Sequence, residues 1–271
     1  MDTFTSAVKI NWFPGHMKKT HDQLKKLASS LDGVIEVVDA RAPTLTQNPE
    51  ITAYFTNKPK LTLALKADLA QTVANSNILW GTLKQGLQLK RLVIKKLQTL
   101  FQAKKNQLKA KGLLVHQFRL AVIGMPNVGK SSLINLLLNK NHLQVANRAG
   151  VTKSMSWNQI SSEFYLSDTP GVFFKRIDEM AVGYKLVLTN VIKREVVPLE
   201  DVGAFAFCYL SKHYPQLLPY EGTDFTEFLH KFAISRKLLQ KSNQLNINLA
   251  CELFVSELIN GKYGKLSFEL D

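Results

Sequence analysis

The sequence has only two cysteines, Cys208 and Cys251, and it has no long run of apolar residues. Two cysteines so far apart exclude the short spacings of metal-binding pairs and make a disulfide framework unexpected. No apolar stretch approaches the roughly 18 residues of a membrane-spanning helix. The first residues, MDTFTSAVKINWF, lack the basic-then-apolar layout of a secretory signal. We therefore expect a cytoplasmic protein without a membrane span.

Acidic residues are also scarce, with 21 Asp and Glu against 35 Lys and Arg in a chain of 271 residues. Residues 1–112 hold 18 basic and 7 acidic residues, residues 113–174 hold 5 and 2, and residues 175–271 hold 12 of each. The positive excess thus lies in the first part of the chain. Charge alone leaves two alternatives open, a surface that binds RNA and an ordinary lysine-rich surface in solvent.

Hydrophobic periodicity predicts an α/β domain followed by a helical one. A helix that ends near Gly33 is followed by buried strands and two further helices. Strands are predicted at 33–39, 60–68, 118–124 and 163–168, and helices at 88–112 and 130–139. Such alternation indicates a parallel sheet with ligands at the carboxyl ends of its strands. From about residue 175 only helices are predicted, at 180–192, 201–214 and 224–241, so we expect domains at 1–174 and 175–271.

The segment GMPNVGKS, Gly124 to Ser131, matches the phosphate-loop pattern G-x-x-x-x-G-K-[ST] between a predicted strand and a predicted helix. Glycines let backbone N–H groups approach phosphates, and the helix N-terminus adds positive potential. We expect Lys130 to reach the β- and γ-phosphates and Ser131 to ligate Mg²⁺. The predicted nucleotide contacts in this segment are Pro126, Asn127, Val128, Gly129, Lys130, Ser131 and Ser132.

Two downstream segments complete a predicted nucleotide triphosphatase with switch regions. DTPG, Asp168 to Gly171, ends a predicted strand, so that Asp168 could hold Mg²⁺ and the Gly171 N–H could meet the γ-phosphate. On its own this tetrapeptide is also a good turn. Between the two lies AGVTKS, where Thr152 is placed to complete the Mg²⁺ shell and to sense the γ-phosphate; the alternative is an ordinary loop threonine.

The element that would read the base precedes the phosphate loop in the chain. No N-K-x-D segment follows Gly171, but LKAD, Leu65 to Asp68, stands at the end of a predicted strand. Lys66 could pack over a guanine and Asp68 could accept hydrogen bonds from it. The alternative is a plain strand end with Lys and Asp in the loop that follows.

This order of motifs is a circular permutation of the usual GTPase order. Together with WFPGHM (12–17), DARAPTLTQNPE (39–50) and KYGKLSFE (262–269), it resembles the ribosome biogenesis GTPase A family, also called YlqF or RbgA. The resemblance covers nearly the whole chain. It departs from the family at Leu65, where Asn is usual, and in WGTLKQGL (80–87), where a Ser-rich guanine loop is not recognisable.

The resemblance implies a circularly permuted P-loop GTPase domain with a parallel-rich sheet, followed by a small all-helical, RNA-binding domain. It implies a cytoplasmic GTPase acting late in assembly of the large (50S) ribosomal subunit, with GTP as substrate and Mg²⁺ as cofactor. The implied partners are the subunit precursor, its rRNA and its ribosomal proteins, and we expect a monomer. In the second domain Lys237, Lys241, Lys262 and Lys265 are the candidate RNA contacts.

Hydrolysis requires a positioned water, and Val172, which follows Gly171, cannot hydrogen-bond one. The resemblance points to His16 of the PGH turn as the group that orients this water, beside Lys130 and Thr152 as catalytic residues. The alternative for His16 is a turn residue that caps the next helix. Asn127 matches a position used by potassium-stimulated GTPases, and an ordinary loop asparagine is the alternative there.

Two functions remain open at this stage. One is a slow GTPase switched on by the ribosomal particle. The other is an rRNA-bound assembly scaffold in which the nucleotide only sets the conformation.

Overall fold

The structure is a computed structural model that describes residues 28–71, 77–113, 117–139, 157–167, 179–222, 224–241 and 243–270. Backbone contacts divide the chain into two compact units. The described part of the first, the GTPase unit, is 28–68, 77–113, 117–139 and 157–167; that of the second, the helical unit, is 69–71 and the residues from 179 onward. The predicted boundary at 174 lies outside the described residues and stays a prediction.

Within its described residues the GTPase unit contains a six-stranded sheet in the order β3-β2-β1-β4-β6-β5. Its strands are β1 (Gly33–Asp39), β2 (Lys60–Leu65), β3 (Ile78–Trp80), β4 (Phe118–Gly124), β5 (Trp157–Gln159) and β6 (Phe164–Ser167). All neighbours are parallel except β5, which runs antiparallel to β6. The predicted parallel-rich α/β class is therefore confirmed, and β1 and β4 lie side by side at the centre.

The central strands are buried on both faces, as their continuous apolar runs predict. Every residue of β1 is buried, and β4 has a single exposed position, Arg119. The predicted strand 60–68 ends earlier, at Leu65, because Lys66 has φ +64°, in the left-handed region that cannot continue a strand. Sequence periodicity did not predict β3 and β5, since three residues are too few to show it.

In the described part of this unit residues 28–30 are helical, and three further helices and three 3₁₀ turns accompany the sheet. The helices are α1 (Pro49–Thr52), α2 (Leu87–Ala110) and α3 (Lys130–Leu138), and the 3₁₀ turns are Ala53–Phe55, Ala67–Leu69 and Leu83–Gln85. α2 buries one residue per turn, at Leu89, Val93, Leu97 and Phe101. The Phe101 ring lies 4.6 Å from that of Phe118 and 5.4 Å from that of Phe164, so aromatic contacts fix α2 against β4 and β6.

The described part of the helical unit contains four helices and two 3₁₀ turns. They are α4 (Met180–Leu188), α5 (Leu199–His213), α6 (Phe225–Ser235) and α7 (Ile247–Ile259), with 3₁₀ turns at Arg194–Val196 and Pro215–Leu217. Phe228 packs 4.8 Å from Phe254 and 5.1 Å from Phe207, ring centre to ring centre, which joins α5, α6 and α7 around one core. Within the residues described, no helix is both long and apolar enough to cross a membrane.

Three of these helices were predicted, with different ends, and the fourth was not. The helix predicted over 224–241 ends at Ser235, because Lys237 has φ +53° and Leu239 forms an isolated bridge with Leu245. α7 was missed, although Asn246 marks its start: the Asn246 side chain accepts a hydrogen bond from the Leu249 N–H.

Candidate nucleotide-binding site

The phosphate loop joins the end of β4 to the start of α3, as its motif predicts. Its backbone reverses direction through three positive φ angles: +146° at Gly124, +57° at Asn127 and +105° at Gly129. Glycine and asparagine are the residues that adopt such angles at least cost. A run of this kind turns consecutive N–H groups towards one concave side, which is the shape that binds phosphate.

Both glycines also have neighbours that leave no room for a side chain. A Cβ atom on Gly124 would lie 2.2 Å from the carbonyl oxygen of Val37 in β1. On Gly129 it would lie 2.9 Å from Cδ1 of Leu65, the last residue of β2. The phosphate loop is therefore seated directly on the carboxyl ends of the two neighbouring strands.

Lys130 is the first residue of α3, and its side chain is only 9% exposed. Its ammonium group donates a hydrogen bond to the carbonyl oxygen of Met125, at the other end of the loop. Burial lowers the pKa of Lys130 to about 7, because removing an ammonium group from water disfavours its charged form. Phosphate oxygens beside this group would favour the charged form again, so the lysine is placed for an anion.

The other predicted loop residues differ in exposure. Val128 is buried and fixes the loop, Pro126 is half-buried, and Asn127 is exposed. Ser131 and Ser132 are exposed in the first turn of α3, where N–H groups lack helical partners. This exposure leaves both hydroxyl groups open to a ligand at the helix N-terminus.

The predicted base-reading residues lie at the end of β2, and both are paired with other charges. The Lys66 ammonium nitrogen is 2.7 Å from Oδ2 of Asp39, and Asp68 Oδ2 is 2.6 Å from the Lys84 ammonium nitrogen. Burial opposes ionisation of Asp68, but hydrogen bonds from Lys84 and Thr82 outweigh it and hold its pKa below the ordinary value. Asp68 is therefore an ionised acceptor, as guanine recognition requires.

Lys84 and Thr82 belong to WGTLKQGL, the segment that occupies the place of the family's guanine loop. Thr82 closes a capping box with Gln85, which fixes the turn. Lys84 is 79% exposed, so its ion pair with Asp68 is weak and easily exchanged for another donor. Contacts from this segment to Asp68 are not visible in the sequence, because they depend on the pairing of β3 with β2.

Asp39 and Arg41, of the DARAP segment, form a buried ion pair at the end of β1. Asp39 is 0% and Arg41 2% exposed, and Nε of Arg41 lies 3.0 Å from Oδ1 of Asp39. Burial raises the pKa of Asp39, yet the charges and hydrogen bonds of Arg41 and Lys66 outweigh burial and keep it below the ordinary value. Asp39 thus holds Lys66 in place, a role that sequence reasoning missed; an Asp at a strand end followed by Arg was the available signal.

Leu65 stands where an asparagine amide would connect the base-reading segment to the phosphate loop. It is fully buried, and its side chain contacts Gly129. Leu83, of the same segment as Lys84, also reaches the Gly129 position, 3.9 Å from a Cβ built there. In this chain the two halves of the site are therefore joined by apolar packing.

The described residues thus place Lys66, Asp68 and the phosphate loop at one edge of one sheet, with β1 between them. His16, Thr152, Asp168, Gly171 and Val172 lie outside the described residues, and their predicted roles remain predictions. Among the residues described, no group of three or more His, Cys, Asp and Glu side chains is placed to hold a metal ion.

The strands β1 and β2, on the side of the candidate base-reading residues, precede the phosphate loop in the chain, and the loop packs against their ends. This arrangement defines a circularly permuted P-loop GTPase. Residues 119–202 match the family profile described as 50S ribosome-binding GTPase. The chain is 71% identical over 271 residues to a Mycoplasma genitalium protein named probable ribosome biogenesis GTPase A, with all of both chains covered. It is 33% identical to ribosome biogenesis GTPase A of Bacillus cereus, covering 96% of this chain and 93% of that one.

Solved structures agree with these relatives. The crystal structure of GNP-bound YlqF from T. maritima superposes with a TM-score of 0.67 at 25% identity, covering 93% of this chain and 97% of that one. The GDP-bound structure of TM YlqF gives 0.68 at 26% identity, covering 91% and 98%. The chain belongs to the ribosome biogenesis GTPase A family. It is a GTPase, which confirms the resemblance noted in the sequence.

Proposed function

We propose that the protein hydrolyses GTP during late maturation of the large (50S) ribosomal subunit, and that the precursor particle stimulates the hydrolysis. The names of the relatives support a role in ribosome assembly, and the matched profile is that of a 50S ribosome-binding GTPase. The observation that carries the proposal is that Lys130 is buried in a phosphate loop, and that this loop packs against the ends of β1 and β2. The proposed partners are the precursor, its rRNA and its ribosomal proteins. We propose that the protein acts on them in the cytoplasm as a monomer.

In the proposed phosphate site, Lys130 pairs with β- and γ-phosphate oxygens and exchanges its bond to the Met125 carbonyl for them. The loop N–H groups bind the same phosphates. Ser131, Thr152 and Asp168 would hold Mg²⁺, and a hydroxyl–carboxylate set of oxygens fits this cation. Bound Mg²⁺ would neutralise charge that develops on the phosphates. Exposed Ser131, in the first turn of α3, agrees with this role.

In the proposed base site, Asp68 accepts hydrogen bonds from guanine, and Lys66 packs over the ring. Asp39 supports Lys66 by fixing its ammonium group, so the aliphatic part of the side chain is held in place before the nucleotide arrives. Lys84 leaves Asp68 when guanine binds, which costs little because Lys84 is largely exposed.

For the hydrolytic step we propose that His16 orients the attacking water, since Val172 cannot. A histidine titrates near neutral pH and can polarise water through its ring nitrogen. Asn127 is the proposed contact for a monovalent cation, K⁺, and its exposed position at φ +57° leaves the side chain open to such an ion.

The test is GTP and ATP turnover with and without purified large-subunit precursors, for the wild type, His16→Ala and Lys130→Met. We expect GTP turnover to rise with precursors in the wild type only, and Lys130→Met to lose nucleotide binding as well. Replacing K⁺ by Na⁺ in the same assay tests the Asn127 site.

The outcomes separate the parts of the proposal. Unchanged stimulation in His16→Ala removes His16 from the mechanism. Absence of stimulation with any precursor contradicts activation by the particle. Nucleotide-dependent precursor binding without turnover would favour an rRNA-bound scaffold.

A further inference from the structure

The net positive charge of the chain comes from one acid-free stretch. From Leu69 to Ser162 the sequence contains no Asp or Glu, and it contains 14 of the 35 Lys and Arg residues. The remainder of the chain has 21 residues of each sign and is neutral. The net charge of +14 therefore comes entirely from this stretch, whose largest element is helix α2.

Half of these 14 basic residues lie in α2, which has no acidic residue. They are Lys90, Arg91, Lys95, Lys96, Lys104, Lys105 and Lys109. The helix buries one apolar stripe, from Leu89 to Phe101. Of the seven basic residues, Arg91, Lys95 and Lys109 are exposed and the other four are half-buried. Lys104 pairs with Asp32, and Lys105 pairs with Glu163. The remaining basic residues of the helix are not neutralised by any described carboxylate.

One side of α2 forms an open groove with the end of α3. The groove, of about 310 Å³, is lined by Leu87, Lys90, Arg91, Ile94, Lys95 and Gln98 of α2 and by Asn139. The Lys90 ammonium nitrogen donates to the Leu137 carbonyl at 2.5 Å and to Asn139 Oδ1 at 3.1 Å, which fixes the floor of the groove. Arg91 and Lys95 are exposed at its rim, and within the described residues their side chains make no hydrogen bond or ion pair.

The same side of the helix continues beyond the groove with long polar side chains. At 3.6 residues per turn, Arg91, Lys95, Gln98, Gln102 and Lys109 lie within one narrow sector of the helix, and we name this set the basic face. It extends over about 27 Å at 1.5 Å per residue. Among the residues that the structure describes, Glu163 is the carboxylate that contacts this face, and Lys105 and Gln98 already bind that group.

We propose that the basic face binds the sugar-phosphate backbone of double-stranded RNA. This inference rests on the proposed function, because the RNA would be that of the ribosomal particle. Unpaired guanidinium and ammonium groups, with amides between them, match a series of phosphates and carry no base specificity. Single-stranded binding uses exposed aromatic rings, whereas Phe101, the one aromatic residue of α2, is buried.

The chain provides a matched pair of variants in two adjacent residues. Lys95 is on the basic face, and Lys96 is rotated from it by about 100° around the helix. Lys95→Glu and Lys96→Glu change the net charge equally, so net charge alone cannot distinguish them; Lys95 is exposed and Lys96 is half-buried. The probe is a fluorescent RNA duplex of about 20 base pairs, titrated with the full chain between about 50 and 200 mM salt. A single strand of the same sequence and vesicles with anionic lipid are the comparison ligands.

We expect Lys95→Glu and Arg91→Glu each to lower duplex affinity about tenfold and to reduce the salt slope by about 1. Lys96→Glu should stay within about twofold of the wild type. Fluorescent GDP binding, which involves none of these side chains, shows that each variant is folded.

Equal losses in Lys95→Glu and Lys96→Glu would overturn the proposal, because the binding would then follow net charge alone. Preference for the single strand or the vesicles over the duplex would overturn it as well. The proposal would also be overturned if binding to the precursor depended on Lys95 while the RNA duplex did not bind, because the groove would then bind a protein. Particle-stimulated GTP turnover is measured separately, so that failure of the proposed function and failure of this surface are distinguishable.

Discussion

The loop from Gly124 to Ser131 takes its shape from the backbone, whereas the segment from Leu65 to Asp68 takes its shape from side chains. On the phosphate side, three positive φ angles and two close approaches determine the geometry. On the base side, Asp39 holds Lys66, Lys84 holds Asp68, and Leu65 packs against the loop. Backbone geometry of this kind depends on a few glycines, and these positions tolerate few other residues. Side-chain geometry can be reached with other residues, and the base side is where Leu65 and WGTLKQGL differ from the pattern that the resemblance implies.

The largest effect is expected where the backbone allows no side chain. Gly124→Ala would place a methyl group 2.2 Å from the Val37 carbonyl oxygen at a φ of +146°. We expect the free energy of unfolding to fall by about 4 kcal/mol, from strain and overpacking together. Gly112→Ala is the control, because Gly112 also has positive φ but no atom near its Cβ position, and it should cost about 1 kcal/mol. Urea denaturation measures both, and equal losses would contradict the packing argument.

The second prediction concerns the pH dependence that buried Lys130 creates in the nucleotide-free protein. The pKa of Lys130 is about 7 in the folded chain and 10.5 for an ordinary lysine. Between pH 7 and pH 10.5 the unfolded chain therefore binds more protons than the folded chain. Stability from this residue must therefore rise with pH, by about 2 kcal/mol from pH 7 to pH 9. Urea denaturation of the wild type and Lys130→Met at each pH isolates the effect. A constant difference between the two proteins would show that the ammonium group is not buried.

On the base side we expect Asp68→Asn to weaken GTP binding about tenfold or more while ATP binding stays within about twofold. The amide cannot accept both guanine hydrogen bonds, and ATP uses neither. Lys84→Ala is the control: it removes the partner of Asp68 and leaves GTP affinity equal or higher. Titration with fluorescent GTP and ATP analogues measures the ratio. Equal losses for the two nucleotides would show that Asp68 supports the site without reading the base.

The smallest effect on nucleotide binding is expected at the junction of the two sides. Leu65→Ala and Leu63→Ala each remove a fully buried side chain from β2, and both should cost about 3 kcal/mol of stability. Of these two leucines, Leu65 is the one that contacts Gly129, so Leu65→Ala and not Leu63→Ala should also lower nucleotide affinity, by roughly threefold to tenfold. Nucleotide affinity is measured at temperatures below the unfolding transition of both variants. Equal affinities would argue against coupling of the two sides through the Leu65–Gly129 contact.

The phosphate side could be predicted from the sequence, and the base side only in part. The bounds of β4 agree with the prediction at both ends, and α3 ends one residue earlier, because a glycine-rich motif between a strand and a helix is a local signal. The Asp39–Lys66 pair joins residues 27 positions apart and exists only because β1 and β2 are neighbours. Pairing of this kind is a tertiary property, and the motif LKAD gives no indication of it.

The helical unit shows the same limit. The buried faces of α4, α5 and α6 could be read from apolar periodicity, but α7 was missed although Phe254 is at its core. The cap at Asn246 is a local signal that was present and unused. The early end of β2 was not predictable, because it comes with a positive φ at Lys66, which is uncommon for a lysine and has no signal in the local sequence.

The sheet order has a consequence for the chain as it is being synthesised. β1, β2 and β3 are contiguous in sequence and lie on one side, β4, β5 and β6 lie on the other, and the β1–β4 pairing alone joins the two groups of strands. Between the end of β3 at Trp80 and the start of β4 at Phe118, a translating ribosome needs roughly 2–8 s. During that interval β1, whose residues are all buried in the folded protein, has one unpaired edge, the kind of edge that pairs with other chains. The strand that covers it ends at Gly124, so the residue that shapes the phosphate loop also completes the protection of the nascent protein.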